Sequence, residues 1–215
     1  MTLDEIIKKL KKESDPGNLE GMARVGIKPE NAFGTKLPVI RALAKEIGRN
    51  HALARELWKA GYRETRILAA MVEEPGRVTE KQMDRWLRDF TYWEICDQVC
   101  MNLFYLLPWA HGKAIEWCRL EEEQQRRAGF ALMAVIAWKD KKAPDSALIE
   151  FLPHLKKGAF DSRGPVKKAV SWALRQTAKR NNKLKNEALK ISRELARADS
   201  KHAKWVAKDV IRKIN

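Results

Sequence analysis

Apolar residues recur along most of this chain at the spacing of an amphipathic α-helix. Segments of roughly 10 to 18 residues carry them at positions i, i+3, i+4 and i+7, and short stretches of Gly, Pro, Asn or Asp separate one segment from the next. The alternation of apolar and polar residues that is typical of strands is absent from the sequence. The pattern therefore predicts an all-α protein.

The first 50 residues are predicted to form the N-terminal helices. The chain opens with the helical pattern LDEIIKKLKK, and its longest irregular segment is GIKPENAFGTKLP, residues 26–38. The helical pattern resumes from about Thr35 with VIRALAKEIGRN. Further along, Thr79 and Gln82 match a capping box, in which two residues at a helix start exchange side-chain to backbone hydrogen bonds.

Residues 51–215 divide into about five pairs of predicted helices, a shorter first helix followed by a second one. The first helices are LARELWKAG, EKQMDRWLRDF, GKAIEWCRLE, ALIEFLPHLKKG and NEALKISRELARA. The second helices are ETRILAAMVEE, WEICDQVCMNLF, QQRRAGFALMAVIAW, VKKAVSWALRQTAKR and KHAKWVAKDVIRK. Units of this length match HEAT-like repeats, which stack into a curved solenoid whose second helices usually line the concave face. We therefore expect residues 1–215 to form one HEAT-like α-solenoid domain.

Aligning the second helices by their apolar positions places five charged residues in one column. They are Arg66, Asp97, Arg127, Lys168 and Lys204, at separations of 31, 30, 41 and 36 residues. Four of the five are cations, so the concave face is predicted to be basic. The remaining member is a lone carboxylate in the stretch FTYWEICDQVC.

The distribution of charge favours a partner rich in phosphate. The chain has a formal net charge of +15 at pH 7, and residues 111–215 carry 25 basic against 12 acidic residues. A basic excess gathered in one half of a protein is typical of nucleic-acid binding. Basic balance alone is also found in proteins with other roles.

Length, hydropathy and cysteine content narrow the class of protein. No apolar run approaches the roughly 20 residues that cross a bilayer, and the N-terminus lacks the apolar core of a secretion signal, so a cytoplasmic protein is expected. The three cysteines include no CxxC pair and are expected to be reduced core thiols. A metal site on Cys96 and Cys100 is the alternative, but no histidine lies nearby in sequence to complete it.

Two interpretations fit Asp97 in the basic column. In the structural one, it forms a salt bridge with a cation of a neighbouring repeat, such as Arg127, and holds the repeats in register. In the catalytic one, it faces a sugar that becomes cationic as a glycosidic bond breaks, stabilises an oxocarbenium-like transition state and orients water. The column alone favours the salt bridge, because charged pairs between repeats are common.

Two tryptophans stand among these charged positions. Trp93 precedes Asp97 by four residues, so both side chains project from one helical face. Trp172 lies in the densest basic cluster, whose cations on the same face are Lys168, Arg175 and Lys179. An aromatic ring among cations suits stacking on a sugar or base together with phosphate contacts. Core packing with charged flanks is the alternative for both rings.

The other six tryptophans are assigned by helical period. Trp58, Trp86, Trp117 and Trp138 occupy apolar positions and are predicted to lie in the core. Trp109 and Trp205 fit either a core or a surface position.

Three segments resemble the AlkD-type DNA alkylation repair glycosylases. Trp93-Glu94-Ile95-Cys96-Asp97 is similar to the W-D-x-x-D segment of that family, and VKKAVSWALRQTAKRN resembles its I-x-K-A-I-x-W-x-L-R-x-x-A-K segment. RRAGFALMAVIAWK is similar to the R-A-x-x stretch that lies between them. Order and separations agree along about residues 20 to 185.

The resemblance implies a HEAT-like solenoid that holds duplex DNA in a basic groove and hydrolyses the N-glycosidic bond of N3- or N7-alkylated purines. Asp97 would be the catalytic carboxylate, and Trp93 and Trp172 would hold the deoxyribose of the damaged nucleotide. Arg127 would contact the DNA backbone near the lesion, and Lys168, Arg175 and Lys179 would lie along the same phosphate track. The charged column adds Arg66 and Lys204 to the residues expected to bind the DNA backbone. No metal, cofactor or protein partner is implied, and the protein is expected to act as a monomer on duplex DNA containing alkylated bases.

One departure from the family pattern bears on substrate range. Where the family places an aromatic residue in M-A-x-Y, this chain reads Met22-Ala23-Arg24-Val25, which replaces a large ring with a small aliphatic group. Two other functions stay open on the sequence: a non-catalytic solenoid that binds distorted or branched DNA or structured RNA, and a protein-interaction scaffold of HEAT type.

Overall fold

A computed structural model describes residues 1–27 and 31–214 and shows thirteen α-helices and no strands in those residues. The three N-terminal helices are α1 (Leu3–Lys12), α2 (Pro16–Arg24) and α3 (Leu37–Ile47). Five helix pairs follow: α4 (His51–Ala60) with α5 (Arg63–Val72), α6 (Glu80–Arg88) with α7 (Trp93–Asn102), α8 (Ala110–Trp117) with α9 (Glu123–Lys139), α10 (Asp145–Gly158) with α11 (Gly164–Ala178), and α12 (Asn182–Arg197) with α13 (Lys201–Ile214). The all-α, HEAT-like prediction is confirmed, and each predicted helix of the pairs overlaps an observed one.

The helices form two layers with the core between them. In the inner layer α3, α5, α7, α9, α11 and α13 pack in succession, each against the next. The outer layer contains the first helices of the pairs, and its neighbours meet through side chains: Trp58 of α4 stacks on Trp86 of α6 with ring centroids 3.9 Å apart, and His111 of α8 stacks on Phe151 of α10 at 4.6 Å. The charged column of the sequence therefore lies on consecutive helices of the inner layer.

The close approach of two helices explains one glycine. Gly129 lies in the middle of α9, where a Cβ atom would overlap the backbone of Ala114 and Cys118 in α8. The absence of a side chain lets α8 and α9 pack backbone to backbone. This contact fixes the position of α9, which carries Arg127.

Two local predictions need correction. Helix α3 begins at Leu37 rather than near Thr35, because the hydroxyl of Thr35 is buried and donates to the Leu10 carbonyl at 2.8 Å. The capping box at α6 is only half formed: Thr79 accepts from the Gln82 backbone, but the Gln82 side chain donates to Glu73 at 2.7 Å. Of the predicted irregular segment 26–38, residues 28–30 lie outside the described residues.

Within the described residues, no helix is both long enough and apolar enough to cross a membrane. All three cysteines, Cys96, Cys100 and Cys118, are buried free thiols, as predicted.

Candidate active site and nucleic-acid interface

Asp97 and Arg127 form a bidentate ion pair between α7 and α9. Arg127 Nη1 donates to Asp97 Oδ1 at 2.7 Å, and Nη2 donates to Oδ2 at 3.1 Å. A longer bond of 3.4 Å joins Nη1 to the backbone carbonyl of Trp93. Only 6% of the Arg127 side chain and 15% of the Asp97 side chain are exposed. The contact named in the structural interpretation of Asp97 is therefore present in the structure.

The pair leaves Asp97 with unused acceptor capacity. A carboxylate offers about four lone-pair sites, and the two guanidinium donors occupy one on each oxygen. The exposed part of the side chain shares a helical face with Trp93, one turn away. The remaining lone pairs can accept a hydrogen bond from a water molecule or a sugar hydroxyl that reaches the exposed 15% of the side chain.

The electrostatics of Asp97 combine two opposing effects. Burial raises the pKa of the carboxyl group, and the charge and hydrogen bonds of Arg127 oppose that rise. The nearby carboxylate of Glu94 adds to the rise in the pKa of Asp97. The net pKa lies above the ordinary value, and burial is the largest cause.

Trp93 is held by the N-terminal part of the chain. Its indole Nε1 donates to the backbone carbonyl of Val25 at 3.0 Å, while 38% of the residue stays exposed. Val25 follows α2 directly, and its own side chain is 54% exposed. The position where the family pattern has an aromatic ring thus contributes a carbonyl that orients Trp93. A cavity of about 430 Å³ opens beside these two residues, with Met22, Ile27 and Leu37 in its apolar lining.

A buried ion network beneath this cavity fixes the start of α7. Arg63 donates two bonds to Glu94, of 2.6 and 2.7 Å, and one of 2.9 Å to Glu64. Glu64 in turn accepts from the backbone amides of Phe33 and Gly34 at 2.9 and 3.1 Å. Sequence reasoning missed this network, although the separation of 31 residues between Arg63 and Glu94 equals one repeat and could have indicated it.

One face of α11 carries Trp172 and three cations. Lys168 and Lys179 are exposed, and Trp172 and Arg175 are half buried. Eleven residues separate the two lysines, which places them on one face and about 16 Å apart along the helix axis. Arg175 Nε also lies 3.6 Å from the carboxylate of Asp209 in α13, so this cation is shared with an ion pair between repeats.

The structure separates Arg66 from the Asp97–Arg127 pair. Its guanidinium donates to the Asp89 carbonyl at 2.8 Å and lies 5.4 Å from the ring centroid of Trp58, so it faces the outer helices α4 and α6. Lys204 is exposed in the first turn of α13. Only the middle of the charged column therefore forms a continuous surface. Asp97 and Arg127 are in contact, and Lys168 occupies the same helical position in α11 as Arg127 does in α9.

The tryptophan predictions hold for three of the four core assignments. Trp58, Trp86 and Trp117 are buried, but Trp138 is 43% exposed. Trp138 is the next-to-last residue of α9, and it lines an open cavity with Gln176 and Lys179 at the end of α11. Of the two ambiguous residues, Trp205 is exposed and Trp109 is half buried.

Metal ligands do not cluster in the part of the chain that the structure describes, where no group of three or more His, Cys, Asp or Glu side chains could hold an ion. The carboxylates of Asp97, Glu94 and Glu64 are instead paired with arginines.

These features define a HEAT-like helical-repeat protein whose inner layer carries the Asp97–Arg127 ion pair, the exposed Trp93 and a basic helix face on α11. Residues 6–213 match the family described as DNA alkylation repair enzyme, and the chain belongs to that family.

Comparison with solved structures supports the fold. A structure described as "A new family of proteins related to the HEAT-like repeat DNA glycosylases with affinity for branched DNA structures" has a TM-score of 0.81 and 20% identity, covering 99% of this chain and 95% of that one. A designed armadillo repeat protein in complex with the peptide (KR)4 reaches a TM-score of only 0.44 at 17% identity, covering 83% of this chain and 92% of that one. Comparison with curated proteins finds no sequence match.

Proposed function

We propose that the protein is a monofunctional DNA glycosylase that hydrolyses the N-glycosidic bond of N3- or N7-alkylated purines in duplex DNA. The observation that carries the proposal is the Asp97 carboxylate, which is held by Arg127, keeps 15% of its side chain exposed and lies one helical turn from the exposed ring of Trp93. Membership of the alkylation repair family supports it.

The proposed reaction needs one carboxylate because the substrate is already charged. An N3- or N7-alkylated purine carries a positive charge, so the base leaves with the electron pair of the C1′–N bond and becomes neutral without a general acid. The deoxyribose becomes oxocarbenium-like, and the negative charge of Asp97 stabilises it. Water then attacks C1′ and gives up a proton, which Asp97 accepts or passes to solvent.

The protein side chains around Asp97 have separate tasks in this proposal. Trp93 and Trp172 hold the sugar between aromatic surfaces, and Arg127 keeps the carboxylate in place. No lysine lies one helical turn from Asp97, where it could act as a Schiff-base nucleophile. The reaction therefore stops at an abasic site and does not continue to strand cleavage.

DNA binding in this proposal relies on the exposed cations of the inner layer. Lys168, Lys179 and Lys204 contact the phosphate backbone, and Arg175 joins them while sharing its charge with Asp209. The guanidinium groups of Arg127 and Arg66 already donate to protein acceptors, the Asp97 carboxylate and the Asp89 carbonyl. A DNA phosphate must therefore compete with these acceptors to bind either arginine.

Base release from methylated duplex DNA tests the proposal. We expect the wild-type protein to release 7-methylguanine or 3-methyladenine, and Asp97→Asn to lose roughly 10²-fold or more in rate, the scale of a lost charge-stabilising group. Asp161→Asn is the matched control, because the Asp161 side chain is also largely buried, with 7% exposed, and also pairs with arginines, Arg126 and Arg163. Full excision by Asp97→Asn would refute the catalytic assignment.

The second candidate function is a non-catalytic protein that binds distorted or branched DNA. The bidentate use of Asp97 by Arg127 favours it, because the ion pair explains the carboxylate without catalysis. The similar solved structure belongs to proteins described as having affinity for branched DNA structures, which supports this candidate as well. On this reading the wild-type protein binds DNA with steep salt dependence and releases no base, and Asp97→Asn binds at least as tightly, since a repulsive charge is gone.

A further inference from the structure

Trp138 is an exposed aromatic residue outside the Asp97 site. It lies at the end of α9, and its neighbour Lys139 places Nζ 5.4 Å from the Trp138 ring centroid. Lys139 Nζ also donates to the Met101 carbonyl of α7 at 2.7 Å, which fixes the lysine and supports the ring. The indole is 43% exposed and has a cation near its ring, an arrangement in which the two groups attract each other.

The ring shares a helical face with the Asp97 site. Trp138 follows Arg127 by eleven residues, which brings both to nearly the same side of α9 and separates them by about 16 Å along its axis. Lys168 and Lys179 have the same separation on α11, the next helix of the inner layer. The two parallel helices thus carry two levels: Arg127 with Lys168 at one end, and Trp138 with Lys179 at the other.

The second level is basic and concave. Trp138 and Lys179 line a cavity of about 320 Å³ together with Lys141 and Gln176. Lys141 and Lys179 are exposed, and neither forms an ion pair with any residue that the structure describes. The nearby carboxylate of Asp140 is used by the backbone amides of Lys142 and Ala143, at 3.0 and 3.2 Å.

The cavity has a fixed frame. Arg180 donates to the Asp140 carbonyl at 2.7 Å and to the Ala143 carbonyl at 2.8 Å, which holds the loop between α9 and α10 against α11. Burial lowers the pKa of Lys139, and the positive charge of Arg41 on α3 lowers it further. The surroundings of Trp138 are therefore rigid and positive.

We propose that Trp138 is a stacking platform for an unpaired nucleotide, with Lys141 and Lys179 holding the adjoining phosphates. An aromatic face beside cations is the chemistry that binds single-stranded nucleic acid. The nucleotide must be unpaired, because a base within a duplex has both faces covered by its neighbours. The separation of about 16 Å from the Asp97 level equals about five nucleotides at a rise of ~3.4 Å. DNA with a single-stranded segment next to a duplex therefore binds at both levels.

This inference rests on the DNA-binding part of the proposed function and is independent of excision. The test compares the affinity of the full chain for a fluorescent blunt duplex and for the same duplex extended by single-stranded DNA, with either a 3′ or a 5′ extension. We expect one extension to improve the wild-type affinity about tenfold, equal to ~1.4 kcal/mol and within the range of one base stacked on an aromatic ring.

The variants separate stacking from general binding. Trp138→Ala removes the tenfold gain and leaves the affinity for the blunt duplex unchanged, whereas Trp138→Phe keeps most of the gain. Phe160→Ala, which removes an exposed aromatic residue outside the platform, keeps it fully. Circular dichroism melting verifies that each variant folds.

Three results would overturn the inference: no gain from either extension with the wild-type protein, a gain that survives Trp138→Ala, or an equal loss of affinity for both DNAs in the folded Trp138→Ala variant. Failure of the wild-type protein to bind the blunt duplex in a salt-dependent manner would instead refute the proposed DNA-binding function. The two failures are distinguishable because the blunt duplex is measured in every series.

Discussion

Replacement of Arg127 by methionine is expected to destabilise the fold by leaving Asp97 buried without its partner. The guanidinium supplies two bonds to the carboxylate, of 2.7 and 3.1 Å, and a weaker one to the Trp93 carbonyl. Methionine fills much of the same volume but donates nothing. The change therefore removes the charge and the hydrogen bonds while keeping most of the packing.

The burial of the pair sets the size of the effect. Exposed ion pairs contribute only about 0 to 1 kcal/mol, but Arg127 and Asp97 are 6% and 15% exposed. Loss of one partner from a buried pair costs roughly 3 to 5 kcal/mol, because the other charge is left uncompensated. For a chain of this length, each kcal/mol lowers the melting temperature by about 2 to 4 °C. The variant should thus melt roughly 10 °C below the wild-type protein.

A double-mutant cycle isolates the pair from other effects of the substitutions. Urea unfolding is measured for the wild-type protein, Arg127→Met, Asp97→Asn and the double variant. The double variant should be more stable than the sum of the single changes predicts, by about 2 kcal/mol, because no uncompensated charge remains. Free energies of unfolding that add within about 0.5 kcal/mol would refute the argument.

The pH dependence gives a second readout of the same pair. In Arg127→Met the guanidinium no longer opposes the effect of burial, so the pKa of Asp97 in the folded state should rise further above the unfolded value of ~3.9. A group with a raised folded pKa favours the folded state when it is protonated, and that contribution is lost as pH rises through the folded pKa. The destabilisation by Arg127→Met should therefore shrink as the pH is lowered from neutral.

Two further predictions concern DNA. Lys168→Glu should weaken duplex binding and reduce the slope of log affinity against log salt by about 1, as measured by fluorescence anisotropy over a salt series. The control Lys190→Glu, on the outer helix α12, should leave this slope unchanged. Equal slopes for both variants would count against a DNA-binding surface on the inner layer. Burial raises the pKa of Asp97, and the proposed reaction needs the ionised carboxylate. The excision rate should therefore fall on acidification with a midpoint above pH ~3.9, the ordinary pKa of an aspartate. Excision that persists below this pH would contradict the role of Asp97.

The fold could be predicted from helical periodicity because each helix buries a stripe of apolar residues that is visible in its own sequence. The ten helices of the pairs could be located from apolar spacing and from Gly, Pro, Asn or Asp at their ends. Side-chain contacts with residues that are distant in sequence could not be predicted from this spacing. Gln82 fits a capping box by sequence, but its side chain bonds to Glu73 of the preceding repeat. Trp138 fits a core position by period, but at the end of α9 it is 43% exposed and lines a cavity with residues that are distant in sequence, Gln176 and Lys179.

The candidate site shows the same division between local and distant information. Trp93 and Asp97 could be placed on one face because they lie in one helix, and the salt bridge to Arg127 could be stated as an alternative from the repeat spacing. The contacts of Glu64 in the buried network could not, since the donors to Glu64 include backbone amides of a loop before α3. Arg66 and Arg127 were both assigned to the DNA surface by column position, yet only side-chain geometry shows that each guanidinium already has protein acceptors.

The ion pair and the catalytic role of Asp97 do not exclude each other, and two measurements on one substitution separate them. Asp97→Asn keeps the shape of the side chain and one acceptor for Arg127 but removes the negative charge. A carboxylate that serves only to join α7 and α9 shows coupling with Arg127 in unfolding and no effect on base release. A carboxylate that serves only chemistry shows the reverse. Coupling in both assays would mean that the repeat contact also positions the catalytic charge, which follows if a buried, arginine-held carboxylate is already oriented before the sugar cation forms.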